Sequence, residues 1–346
     1  MGDELRRGRV DRVDMAKGLT MLLVIAGHSL FGVLRGAIYS FHMPLFFILS
    51  GMTFRFSGDM SHLWRRCRKA AVHLLLPAAV LIAANMVIEV LQAFSCGTGP
   101  DVSFWLDKAK TLLYCSGSRF YRDGQVIIGR IGIPWFLIVL FSARTLMDLL
   151  HLKLGRAFVP VCLALSVTGV YLGGQDIWLP LSADVVLSAL FFLLCGQWLR
   201  RWDLDRGTWW KLILSACVWM AGLIVAWAMD VRYLEMASRS YPLFPLSHVT
   251  AVAGTAMVCC VSVWACRLWP SVKRAVLYCG EHSLVLLCVH TMDYLWEDLY
   301  ASIHWRPIVC ATARVAVDLA VFALVMLALR LWTACKLWTA GAAVKE

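Results

Sequence analysis

Ten apolar runs, each close to the roughly 20 residues a helix needs to cross a bilayer, follow one another along the chain. They cover residues 13–34, 37–56, 70–94, 132–151, 157–174, 181–199, 209–229, 246–266, 276–296 and 308–331. In hydrocarbon every backbone N–H and C=O must bond inside its own segment, so such runs fold as helices. A content of 60% apolar residues and a mean hydropathy of +0.71 agree, since soluble chains run about 45–50% apolar. The expected fold is all-α: a polytopic membrane protein of about ten transmembrane helices in one bundle, one integral membrane domain over residues 1–346. The first run carries Asp14 and Lys17 and lacks a small-residue cleavage pattern, so it reads as a span and not as a signal peptide.

A net charge of +11 would suggest a nucleic-acid partner in a soluble chain, but here the cations fall between apolar runs and no nucleic acid is expected. With the N-terminus inside, about 22 of the 33 Lys and Arg residues collect on the cytoplasmic side. Both termini are then cytoplasmic, in a multi-pass protein of the cell (plasma or inner) membrane with lipids as its surroundings. The long linker 95–131 faces outward and holds an amphipathic stretch, Asp101 to Tyr114, followed by a polar run from Ser116 to Gly124. Most of the 13 cysteines sit singly inside apolar runs without CxxC or Cys/His spacing, so no metal site is expected. Cys96 and Cys115 flank the outer loop as either a disulfide or two thiols.

Ionisable residues inside spans are costly and mark interior faces or polar pathways. Lys17 and His28 are eleven residues apart, which is about 20° past three helical turns and roughly 16 Å along the axis. Asp14 lies on nearly the same stripe. Counting depth from the span ends brings His28, His42, His290 and the i,i+4 pair Arg314–Asp318 to one level in the outer half. A lone membrane histidine often just hydrogen-bonds a neighbouring helix, and a matched Arg–Asp pair first reads as structural. Glu89, Arg144 and Asp148, near span ends, read as local pairs or snorkelling groups. The run Arg65-Arg66-Cys67-Arg68-Lys69 is first a topology signal and second a phosphate-binding candidate.

Several ordered elements resemble the acyltransferase 3 family of membrane acyltransferases. Lys17, ten residues and His28 resemble its Arg/Lys-x10-His signature. Ser40-Phe-His-Met-Pro-Leu-Phe-Phe-Ile-Leu-Ser-Gly51 is similar to its second span, in the version of the fucose 4-O-acetylase-like and VanT-type branch. Pro134-Trp135-Phe136-Leu137 and Gly280-Glu-His-Ser-Leu-Val-Leu-Leu-Cys-Val-His290 resemble two later elements, so the likeness covers essentially the whole chain. Two departures stand out: Lys17 replaces the arginine of many relatives, and His73, before Pro77, occupies a position commonly basic.

The resemblance implies transfer of an acyl group, usually acetyl, from acetyl-CoA or another acyl-CoA to a hydroxyl of an envelope or secreted glycan or glycolipid. On that reading Lys17, Arg65, Arg66, Arg68 and Lys69 hold the donor phosphates, and the pantetheine arm follows the stripe from Lys17 to His28. His28 is the general base or a transient acyl carrier, with Asp14, His42 and His290 as the other catalytic candidates. Trp135, Arg314 and Asp318 are the candidates for acceptor contact. The rival class is a transporter or flippase for a lipid-linked sugar, although no paired, interrupted segments mark inverted repeats.

Overall fold

The computed structural model describes residues 2–95, 97, 99–202, 209–267, 270–292 and 306–343, with side chains between residues 11 and 335. Its helices are α1 (Gly2–Gly27), α2 (Gly32–Tyr39), α3 (His42–Thr53), α4 (Met60–Ser95), α5 (Val102–Tyr114) and α6 (Trp135–Leu154). There follow α7 (Phe158–Gly174), α8 (Ala183–Arg201), α9 (Trp209–Ala228), α10 (Leu246–Ala265), α11 (Pro270–Glu281), α12 (Ser283–Thr291) and α13 (Pro307–Ala343). Among the described residues, seven helical stretches are long and apolar enough to cross a membrane. One of them, Trp135–Gly174, turns at Gly155 (φ +50°) and is the hairpin of α6 and α7. The protein is an all-α polytopic membrane protein.

Alternation of the helices brings α1 and α13 to begin and end on one face, called here the N-terminal face. The breaks in the helices differ from the expected spans. The first span ends at Gly27, not at residue 34, and the chain resumes as a helix at Gly32, whose φ of +59° suits a residue without Cβ. A second interruption at Ser40 and Phe41 separates α2 from α3, and Trp219 Nε1 donates to Ser40 Oγ at 3.0 Å across it. His28 and His42 therefore stand at helix ends, where side chains reach an open centre. The ninth expected span is likewise divided, into α11 and α12 at His282.

Glycines set the closest helix approaches. A Cβ at Gly51 would strike the Leu193 carbonyl, and one at Gly196 the Ile48 carbonyl, so α3 and α8 are at near contact; they run parallel, and their C-terminal ends meet where Arg200 reaches the Phe54 carbonyl. Gln197 closes the end of α3 by donating to the Gly51 and Phe54 carbonyls. In the same way Gly18 abuts the Val276 carbonyl and Gly280 the Asp14 carbonyl, which pins α11 across α1. The interiors of α3, α8 and α10 are buried, whereas α4, α9 and α13 expose most of their apolar residues and form the lipid-facing periphery.

The segment between α4 and α6 is more ordered than a polar loop. Asp101 caps α5, accepting from the Phe104 N–H at 2.8 Å and the Ser103 hydroxyl at 2.9 Å, contacts that hold its carboxyl below the usual carboxylate range. A β-hairpin follows, β1 (Phe120–Arg122) antiparallel to β2 (Gln125–Ile128), turning through Asp123 and Gly124, both with positive φ. Cys115 donates to the Leu112 carbonyl at 2.9 Å; Cys96, its expected counterpart, lies outside the described residues.

Three segments on the face opposite the N-terminal one meet at a buried ion pair. Arg239 Nε donates to Asp184 at 2.8 Å, while its other nitrogens reach Ser116 Oγ (2.6 Å), Ser182 Oγ (3.0 Å) and the Ala237 carbonyl (2.9 Å). The guanidinium carbon also lies 3.8 Å from the Trp178 ring centroid. Arg239, Leu181 and Ser182 all adopt positive φ, a conformation that costs non-glycine residues on the order of 1–3 kcal/mol each and persists only where contacts over-determine it.

Candidate active site

A cavity of about 890 Å³ lies inside the bundle, with lining residues toward the N-terminal face and toward the opposite one. At the N-terminal face it is lined by Lys17, Thr53, His73 and Arg144; at the far end by Phe31, Arg35, Arg130 and Glu235. Between them Met21, Val24, Phe46, Leu49, Leu140 and Leu287 form an apolar collar. The collar follows from sequence spacing: Met21 and Val24 lie one and two turns beyond Lys17 on the same face of α1.

Beyond the collar the three histidines expected at one level are assembled. His28 is exposed to the cavity, and its ring centroid lies 4.9 Å from that of His290 and 5.9 Å from that of Tyr39. His42, at the first turn of α3, has its ring centroid 4.5 Å from that of Tyr39 at a tilt of 36° and faces the Tyr39 carbonyl with Nδ1 at 3.3 Å. His290 Nδ1 lies 2.8 Å from Asp318 Oδ2, a buried contact between α12 and α13. An ionised carboxylate only accepts, so this contact puts the proton on Nδ1 and leaves Nε2 as the basic nitrogen. Arg314 Nη1 reaches toward Ser29 Oγ at 3.4 Å in the turn after α1.

The remaining candidates are placed as follows. Asp14 is buried and bonds Lys17 at 3.0 Å, steadying the lysine that lines the cavity mouth. Trp135 is buried on the cavity wall, its indole packed against Gly117. Asp318 meets His290 across helices, a partner that the i,i+4 spacing to Arg314 does not indicate. Arg65, Arg68 and Lys69 are exposed on α4, away from the cavity lining. Arg66 is bound into a structural contact: it bonds the Arg55 carbonyl and approaches Asp148 at 3.5 Å, and Asp148 accepts from Ser57 N–H (2.8 Å) and Oγ (2.7 Å). The cations at the cavity mouth are instead Lys17 and Arg144, with His73 beside them. Arg144 was legible as an arginine inside an apolar run; Tyr39 carried no signal before the helix break beside it was known.

A second cavity, of about 660 Å³, lies among α4, α5 and the β-hairpin and meets the first at His28, His290 and Arg314. The fold and site thus define a polytopic membrane protein whose helices enclose a passage with histidines at the junction of two cavities. The family model described as an acyltransferase domain matches residues 10–334, and the chain belongs to this acyltransferase 3 family of membrane acyltransferases. Among curated proteins and solved structures, none matches the chain.

Proposed function

We propose that the protein is a membrane O-acyltransferase, in its simplest form an O-acetyltransferase, that moves an acyl group from cytoplasmic acyl-CoA to a hydroxyl of an envelope or secreted glycan. One observation carries this reading: a single cavity links the basic mouth at Lys17 and Arg144 to the histidine cluster, over a helical rise of roughly 16 Å. The N-terminal face is then the cytoplasmic face of the plasma or inner membrane, as the basic residues between the spans favour. The donor phosphates sit at the mouth, and the extended pantetheine arm, of the same order as that rise, carries the thioester past the apolar collar.

At the junction His28 removes the proton of the acceptor hydroxyl, whose oxygen attacks the thioester carbonyl; the thiolate of coenzyme A leaves. His290, held by Asp318, is placed to relay a proton to or from His28, and Arg314 and the tilted His42–Tyr39 pair complete the polar wall. The likeness of His42-Met43-Pro44 to the fucose 4-O-acetylase-like branch favours a sugar hydroxyl. Purified protein given radiolabelled acetyl-CoA and candidate glycans tests the reading. Transfer of label supports it, and translocation of a lipid-linked sugar without transfer replaces it with a flippase.

Donor binding yields a further prediction. Charge-assisted hydrogen bonds are worth about 1.5–3 kcal/mol, so Lys17→Ala and Arg144→Ala should each raise the donor KM about tenfold or more. The acceptor KM should stay near wild type, and Lys17→Arg should be tolerated. Arg65→Ala and Lys69→Ala, away from the cavity, should leave donor KM unchanged. An unchanged donor KM in Lys17→Ala and in Lys17→Ala/Asp14→Ala would make the Asp14–Lys17 pair structural and move the donor site elsewhere.

A further inference from the structure

The second cavity has a polar wall that membrane packing does not require. α4 is a peripheral helix whose Val80, Val87, Leu91 and Phe94 are exposed to lipid. On the face turned to the cavity it carries Asn85, Glu89 and Gln92, at i, i+4 and i+7. Glu89 and Gln92 lie in the last two turns of α4, and Asn85, one turn further in, carries an amide that is costly inside a span unless it faces water or a ligand. Their planar donors and acceptors match the hydroxyls of a saccharide.

The charge of this cavity is not balanced. Glu89 pairs with Lys108, and Asp107 with Lys110 at 3.5 Å, so its acidic groups are answered locally. Arg119, at the hairpin, and Arg130, which lines both cavities, are exposed and form no ion pair with a described carboxylate. A guanidinium presents a rigid fork that matches carboxylate and phosphate oxygens two at a time. We propose that this second cavity is the acceptor site and that it takes a saccharide bearing an oxyanion, with Arg119 and Arg130 gripping the anion and the α4 stripe bonding hydroxyls. One hydroxyl then reaches His28 at the junction. The assignment rests on the acyltransferase reading for the role of His28; the anion preference rests on the cavity alone.

Binding to the full-length protein in detergent tests it, with saturation-transfer NMR on methyl β-glucuronide, glucose 1-phosphate and methyl β-glucoside as probes. At least one anionic probe should bind about tenfold more tightly than the neutral glucoside. The glucuronide and the sugar phosphate separate a carboxylate carried on the glycan from a phosphate carried on its anchor. The variant Arg119→Gln/Arg130→Gln, altered at two exposed positions, should lose that preference while binding radiolabelled acetyl-CoA as wild type does. Equal binding of all three probes, no binding of any, or a preference surviving in the variant overturns the proposal. Loss of acetyl-CoA binding in the variant overturns it too, because the arginines would then serve the donor. A wild-type protein that prefers anions but does not bind acetyl-CoA refutes the acyltransferase reading and leaves the anion site standing.

Discussion

His28→Ala is expected to leave an inserted, folded protein whose acyl-transfer rate is lower by about 10²–10⁴, the range a positioned general base supplies. The fold should survive because the side chain projects into a cavity just beyond the end of α1 and fills no packed core. Loss should appear in kcat, with donor KM little changed, since the proposed phosphate contacts at Lys17 and Arg144 lie at the other end of the cavity. Asp318→Asn provides the comparison. It keeps the shape at His290 but removes the charge that fixes its tautomer, so a smaller loss, on the order of 10–100-fold, is expected for a supporting group. If Asp318→Asn costs as much as His28→Ala, His290 is the base and His28 its neighbour. If His28→Ala stays within a few-fold of wild type, His28 has no part in the chemistry.

The second large effect concerns stability. Arg239 and Asp184 are 2% and 0% exposed, and breaking a buried pair strands the remaining charge. Arg239→Ala or Asp184→Ala should therefore cost about 3–5 kcal/mol, because an unpaired buried ion is dearer than no ion at all. Thermal unfolding in detergent should show a drop in Tm on the order of 5–10 °C for either single variant. The double variant Arg239→Met/Asp184→Leu, which leaves no orphan charge, should be less damaged than either single one. Equal Tm values for wild type and Arg239→Ala would show that the pair does not tie the three segments together.

What was legible in the sequence follows from local rules. Spans and depths depend on apolar run length and on helical rise, so His28, His42 and His290 were brought to one level before any packing was known. Rotation about the helix axis was not legible for α4. The turns that follow the basic cluster, residues 70–84, are apolar nearly all round, so no periodic stripe there says which side faces the bundle; Arg65, Arg68 and Lys69 lie away from the cavity, and Arg66 is held by Arg55 and Asp148. The partners Asp318–His290 and Arg239–Asp184 join residues 28 and 55 positions apart, and no spacing rule reaches across such distances. The β-hairpin had a readable signal, since Asp123-Gly124 between alternating residues is a strong short-range hairpin signal; reading the run as a polar linker missed it.

The apolar collar has a consequence for the membrane itself. A passage open from one face to the other would short-circuit the potential across the bilayer if hydrated ions could enter it. Between Lys17 and His28, the cavity is walled by Met21, Val24, Phe46, Leu49, Leu140 and Leu287, and apolar walls of this kind disfavour hydrated ions. An acyl chain on a slender arm meets no such barrier. On the acyltransferase reading, the same six side chains let a thioester through while holding back charge.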